Sequence, residues 1–169
     1  MKFIIRLFSA LIITFSYIEL AYSKTTKIII FGDSLIAGYG LVVEDNFVNQ
    51  LKLKTIENKI NDVTLFNSGV SGETSTGLLN RYKWVLEDNY DGVIILIGAN
   101  DALRGIDPSL TSQNIEKILS YLKEKQIPTM LIGMKAPNNL GEIYVNEFNA
   151  IYPKPVSYTH LTLPTKLTV

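Results

Sequence analysis

Two apolar runs stop abruptly at a glycine: Lys27-Ile-Ile-Ile-Phe31 before Gly32, and Val93-Ile-Ile-Leu-Ile97 before Gly98. Neither alternates polar with apolar residues, so neither reads as a strand with one face in water. Short β-branched runs of this kind are strands buried on both faces. Val63-Thr-Leu-Phe66 and Pro128-Thr-Met-Leu-Ile-Gly133 read as two more short strands. Helix stripes lie between them. Phe47, Val48, Leu51 and Ile60 fall near one face between Glu44 and Ile60. Leu78, Leu79, Tyr82, Val85 and Leu86 recur at the helical period, with Trp84 off the stripe. Ile115, Ile118, Leu119 and Leu122 form a third face, with Thr111 or Ser112 as its N-cap. Tyr144, Val145, Phe148 and Ile151 predict a last helix. Strands alternating with helices predict a parallel sheet covered on both faces, an α/β fold. Ligands in such folds bind outside the carboxyl ends of the strands, so chemistry is expected just after each run.

The two ends of the chain read differently from the middle. Met1 to Ser23 has the pattern of a secretory signal peptide: Lys2 and Arg6 at the start, a mainly apolar Leu7–Ile18, and Ala21-Tyr22-Ser23 as the cleavage site. The apolar run is shorter than the about 20 residues that cross a bilayer, so no stable membrane anchor is expected after cleavage. This predicts a periplasmic or secreted protein. At the other end, no acidic residue follows Glu147, and Thr159, Thr162, Thr165 and Thr168 recur every third residue. That period fits neither a strand nor an amphipathic helix. Residues 155–169 resemble a peptide that recurs at the ends of unrelated metagenome-derived chains, a sequencing adapter translated in frame, and are expected to be non-native. The alternative is a native, disordered C-terminus. Residues 24–154 then form one domain, with 13 basic and 15 acidic side chains. This near balance gives no electrostatic case for nucleic acid as a partner. The absence of cysteine removes disulfides, thiolate catalysis and Cys-based zinc sites, and a single histidine, His160, leaves one candidate imidazole base.

Three short motifs follow the first three strands. Gly32-Asp33-Ser34-Leu35 places a serine on a tight turn where its hydroxyl can be exposed, with following amides able to face a developing oxyanion. Alone it also fits an ordinary turn with a Ser N-cap. Asn67-Ser68-Gly69-Val70-Ser71-Gly72-Glu73-Thr74 is a Gly-rich turn with free N–H groups, or a plain loop in which Thr74 or Ser75 caps the next helix. It has no lysine and no Walker spacing, so phosphate binding is not indicated. Gly98-Ala99-Asn100-Asp101 brings a side-chain amide to the end of the third strand, or forms an Asx turn.

Taken together and in this order, the motifs resemble those of the SGNH or GDSL hydrolase family. The match is closest to its periplasmic thioesterase I, lysophospholipase L1 and arylesterase branch. Gly32-Asp-Ser-Leu-Ile-Ala-Gly-Tyr-Gly40, Ser71-Gly-Glu-Thr74 and Gly98-Ala-Asn-Asp-Ala-Leu-Arg-Gly105 carry the resemblance. Pro137-Asn-Asn-Leu-Gly-Glu-Ile-Tyr144 and Asn146-Glu-Phe-Asn-Ala-Ile-Tyr-Pro153 extend it. It implies a three-layer α/β/α sandwich on a parallel, flavodoxin-like sheet. It also implies Ser34 as nucleophile, with the Ser34 N–H, the Gly72 N–H and the Asn100 side chain forming an oxyanion hole. Asp33 is expected to hold the turn. The substrates implied are small acyl esters, acyl thioesters or lysophospholipids, handled by a monomer with no metal or organic cofactor.

The family's base is a histidine preceded three positions earlier by aspartate, near the C-terminus. Here the lone histidine sits in Ser157-Tyr-Thr-His160, with serine where aspartate should be, and it follows the last helix too soon. No catalytic His or Asp is therefore assigned in this chain. The simplest expectation is a fold that lacks its last strand and helix, and a chain inactive in this form. A non-catalytic acyl- or glycan-binding module of the same fold is the alternative, as is a carbohydrate O-deacetylase.

Overall fold

The computed structural model describes residues 24–153. The expected leader, the expected tail and His160 lie outside the described residues. Four parallel strands are present: β1 (Thr26–Gly32), β2 (Val63–Gly69), β3 (Gly92–Leu96) and β4 (Thr129–Leu131), in the order β2-β1-β3-β4. Ile29 is level with Phe66 on one side and Val93 on the other. The order reverses between β1 and β3, and that reversal opens a crevice at their carboxyl ends. The helices are α1 (Ser34–Ala37), α2 (Phe47–Glu57), α3 (Ser75–Val85), α4 (Ala99–Leu103), α5 (Pro108–Glu124) and α6 (Glu142–Asn149).

Period-2 alternation along each strand divides the core into two layers. Ile29, Phe31, Val93, Ile95 and Leu131 pack with Leu78 and Tyr82 of α3 and with Ile115, Ile118 and Leu122 of α5. Ile30 and Leu65 face the other way, onto Ile36 of α1 and Val48 of α2. The architecture is thus the α/β sandwich that the alternation predicts.

Several boundaries differ from expectation. The N-cap of α5 is Asp107, whose Oδ1 accepts from the Ser109 N–H at 2.8 Å, with Pro108 at the first helical position. Thr111 and Ser112 lie inside the helix, and the Thr111 hydroxyl is engaged elsewhere. α2 ends at Glu57, so Ile60 falls outside it and is half exposed, as is Phe47. Asn46 starts this helix by accepting from the Asn49 N–H. Ile151 is buried but lies past the end of α6. β2 runs to Gly69 because its last residues continue the pairing with β1, while only Thr129–Leu131 of the expected fourth strand pair with β3. Trp84, off its stripe, is exposed.

One approach is unusually close. A Cβ on Gly69 would lie 2.2 Å from the Ala37 backbone nitrogen and 2.6 Å from the Ile36 carbonyl carbon, so α1 rests directly on the end of β2. The Asn67 side chain fixes the same contact, donating to the Ile36 carbonyl at 2.7 Å and accepting from the Gly69 N–H at 2.9 Å. Backbone on both sides leaves nothing to swing aside. Gly69→Ala is therefore expected to cost about 3 kcal/mol, the upper end of overpacking effects. Gly40→Ala meets nothing within 4 Å and has only its φ of +81° to accommodate, a cost of about 1 kcal/mol. Equal urea midpoints for the two variants would contradict this contact.

Candidate active site

The turn after β1 is built by Asp33. Its Oδ1 accepts from the Leu35 N–H at 3.0 Å, and its carbonyl accepts from the Ala37 N–H, so Asp33, not Ser34, is the N-cap of α1. Ser34 becomes the first helical residue. Its N–H precedes any intrahelical acceptor and donates to nothing else among the described residues. Its side chain is partly exposed, and the Gly38 and Tyr39 N–H groups close back onto its carbonyl at 3.0 Å each. Asp33 itself is fully buried, with Oδ2 lacking any hydrogen-bond partner among the described residues. Burial pushes its carboxyl pKa up; the Leu35 N–H pulls it partly back, and the charge of Asp101 raises it further.

The turn after β2 is tied to β1, since the Val70 N–H donates to the Gly32 carbonyl at 2.9 Å. The Glu73 N–H closes a four-residue turn on the Val70 carbonyl, with Gly72 at its third position and φ of +79°. Only glycine takes that conformation readily, which explains Gly72 in physical terms. The Gly72 N–H has no acceptor among the described residues. The Gly72 carbonyl is held by the Arg104 guanidinium, Nη2 donating at 2.8 Å.

At the end of β3, Asn100 sits in α4, a short helix where an Asx turn was one reading. Its Nδ2 donates one hydrogen to the Glu73 carbonyl at 3.0 Å. An amide nitrogen carries two hydrogens, so the second is unassigned. The three predicted residues therefore stand at the carboxyl ends of three neighbouring strands. Direct hydrogen bonds join the Gly72 turn to β1 and to Asn100.

Sequence reasoning missed what spaces these loops. Asp101 is fully buried; its Oδ2 accepts from the Ser75 N–H at 2.8 Å, and its Oδ1 accepts from the Ser75 hydroxyl at 2.6 Å and the Thr111 hydroxyl at 3.1 Å. Asn114 completes the knot, Nδ2 donating to Ser75 Oγ and Thr76 Oγ1. Thr74 caps α3 through the Gly77 N–H. A second missed pair is Glu73 with Arg81, joined in a two-point ion pair. The only signal for Asp101 was its place beside Asn100, because its partners lie 26 and 10 positions away. Among the described residues no His, Cys, Asp and Glu cluster could hold a metal ion.

A sequence model of the GDSL-like lipase/acylhydrolase family matches residues 30–163. The arylesterase of Vibrio mimicus is 32% identical over 160 residues, covering 94% of this chain and 78% of that protein. The thioesterase 1/protease 1/lysophospholipase L1 of Escherichia coli K12 is 34% identical over 128 residues, covering 75% of this chain; the match spans 60% of that protein's length. Among solved structures, the SGNH-hydrolase family esterase AlinE4 superposes with a TM-score of 0.79 at 38% identity, covering 83% of this chain and 76% of that one.

The buried Asp33 gives a pH test. With its pKa raised in the folded state, the native protein binds this proton more tightly than the unfolded chain. Its contribution to stability therefore falls as pH rises from the ordinary carboxylate range through the folded pKa. Asp33→Asn keeps an oxygen for the Leu35 N–H and removes the ionisation. Its melting temperature is expected to exceed the parent's at pH 7, with the advantage shrinking as pH falls through the folded pKa and lost by about pH 4, the ordinary carboxylate value. A difference that does not change with pH would contradict a buried charge.

Proposed function

The chain belongs to the GDSL-like lipase/acylhydrolase family, and on that premise we propose that the whole protein is a secreted serine hydrolase of small acyl esters, acyl thioesters or lysophospholipids. The observation that carries this reading is the pair of N–H groups, on Ser34 and Gly72, that have no acceptor among the described residues, together with an Asn100 amide that is pinned there through one hydrogen only. Donors held in place before the reaction, with no bond to break first, are what a developing oxyanion needs.

In this mechanism Ser34 Oγ attacks the acyl carbonyl carbon. The new C–O bond forms as the carbonyl π electrons move onto oxygen, which takes hydrogen bonds from Ser34, Gly72 and Asn100. The tetrahedral species collapses, the bond to the alcohol or thiol breaks, and the leaving group receives the proton taken from Ser34. Water then cleaves the acyl-enzyme by the same route. The described residues contain no histidine, so the base is assigned to a residue outside 24–153. Periplasmic export is assigned to the leader pattern of residues 1–23, and no helix among the described residues is long and apolar enough to cross a membrane. The exposed Leu35, Tyr39 and Leu41, following Ser34 in sequence, offer apolar surface for an acyl chain.

The whole protein is expected to hydrolyse short p-nitrophenyl acyl esters. Ser34→Ala should abolish this activity, and Asn100→Ala should lower kcat by ~10²–10³-fold. Full activity in the Ser34→Ala variant would overturn the proposal.

A further inference from the structure

The Gly72 turn sits at the surface, with Val70 and Ser71 exposed, yet its N–H must hold a fixed direction to serve as a donor. Glu73, the last residue of the turn, is buried, and both its oxygens are taken by one arginine. Arg81 donates through Nε to Oε1 at 2.5 Å and through Nη2 to Oε2 at 2.6 Å. The same guanidinium donates to the Ser68 hydroxyl at 2.7 Å and the Ser68 carbonyl at 2.6 Å. One planar group thus bridges the base of the loop, from the end of β2 to its far side. That group lies over the Phe31 ring, 5.3 Å from its centroid, and Phe31 is on the strand that delivers Ser34.

Two further observations separate aim from mere stability. α3 carries glycine at its third position, Gly77, although glycine is a poor choice in a helix. A Cβ there would lie 3.2 Å from Glu73 Cγ, so the helix leaves room for this side chain. A partly buried ion pair is also a weak source of net stability, since desolvation offsets much of the attraction, whereas its two parallel hydrogen bonds constrain geometry. Meanwhile the Glu73 main chain is bonded to the other half of the site, its carbonyl accepting from Asn100 Nδ2.

We infer that Glu73 is a positioning residue: its fork with Arg81 sets the direction of the Gly72 N–H and, through its carbonyl, the plane of the Asn100 amide. This rests on the assignment of Gly72 and Asn100 as oxyanion donors. Removing the fork should leave the nucleophile and the substrate surface intact while loosening both donors.

The test has two readouts. In the full chain, amide NMR of Glu73→Gln is expected to show displaced cross-peaks for the Gly72 N–H and the Asn100 side chain, with that of Leu131 unmoved. In the whole protein, the same variant should lose ~10–100-fold in kcat on a p-nitrophenyl ester with KM within about twofold. Glu73→Asp, one methylene shorter, should not restore the rate. If Glu73→Gln does not fold because it strands the Arg81 charge, the double variant Glu73→Gln with Arg81→Gln strands none and should show the same displaced peaks and kcat loss. Unmoved Gly72 and Asn100 peaks with parental kcat, in whichever variant folds, would overturn the inference even if melting falls. Absence of Ser34-dependent hydrolysis in the parent would instead sink the esterase reading, and the peak positions would still decide the role of Glu73.

Discussion

The arrangement of the site depends on a carboxylate that has no access to water. A buried, unpaired carboxylate would cost several kcal/mol. Asp101 avoids this by accepting three hydrogen bonds, two from Ser75 and one from Thr111. Ser75 opens α3, Asp101 lies in α4 and Thr111 lies in the first turns of α5. One charge therefore gathers the starts of three helices. Gly72 stands three residues before Ser75, and Asn100 immediately before Asp101. The separation of the two loops is set where the carboxylate meets the serine. Asn114 adds a bond to the Ser75 hydroxyl and one to the Thr76 hydroxyl, so the knot has little freedom to rearrange.

The third component comes from the opposite side of the sheet. α1 is too short to be stable alone. It is held by the glycine contact at Gly69, by Asn67 on the Ile36 carbonyl, and by Ile36 buried against Ile30, Val48 and Leu65. Ser34 is thus fixed by packing on the α2 face, while Gly72 and Asn100 are fixed by polar bonds on the α3 and α5 face. The Val70 N–H on the Gly32 carbonyl joins the two halves across the strand ends.

How much of this was legible in the chain follows from where each partner lies. The strands were readable because burial on both faces demands unbroken β-branched runs, as in Ile28–Ile30 and Val93–Ile95. Ser34 and Asn100 were readable because they follow such runs within three residues, and Gly72 because it lies in the Gly-rich turn after β2, although their roles came from resemblance. The start of α5 was misplaced because Thr111 looks like a cap in sequence, while its hydroxyl is drawn to Asp101 in the preceding helix. Asp107 with Pro108 was the correct local signal. Phe47 and Ile60 misled because a hydrophobic residue near a stripe need not be buried. The Glu73 and Arg81 pair is eight positions apart and Glu73 lies outside the helix, so no helical spacing rule reveals it. Strand order and the Asp101 knot are properties of the assembled sheet and have no local signature.

In the proposed mechanism, three donors from three strand ends converge on one oxygen position over Ser34. The most direct measurement is a crystal structure of the whole protein with Ser34 Oγ bonded to an alkyl phosphonate, a tetrahedral stand-in for the reaction intermediate. One phosphonyl oxygen is expected about 2.7–3.1 Å from each of Ser34 N, Gly72 N and Asn100 Nδ2. A phosphonyl oxygen that points to solvent, or that meets neither Gly72 nor Asn100, would contradict it.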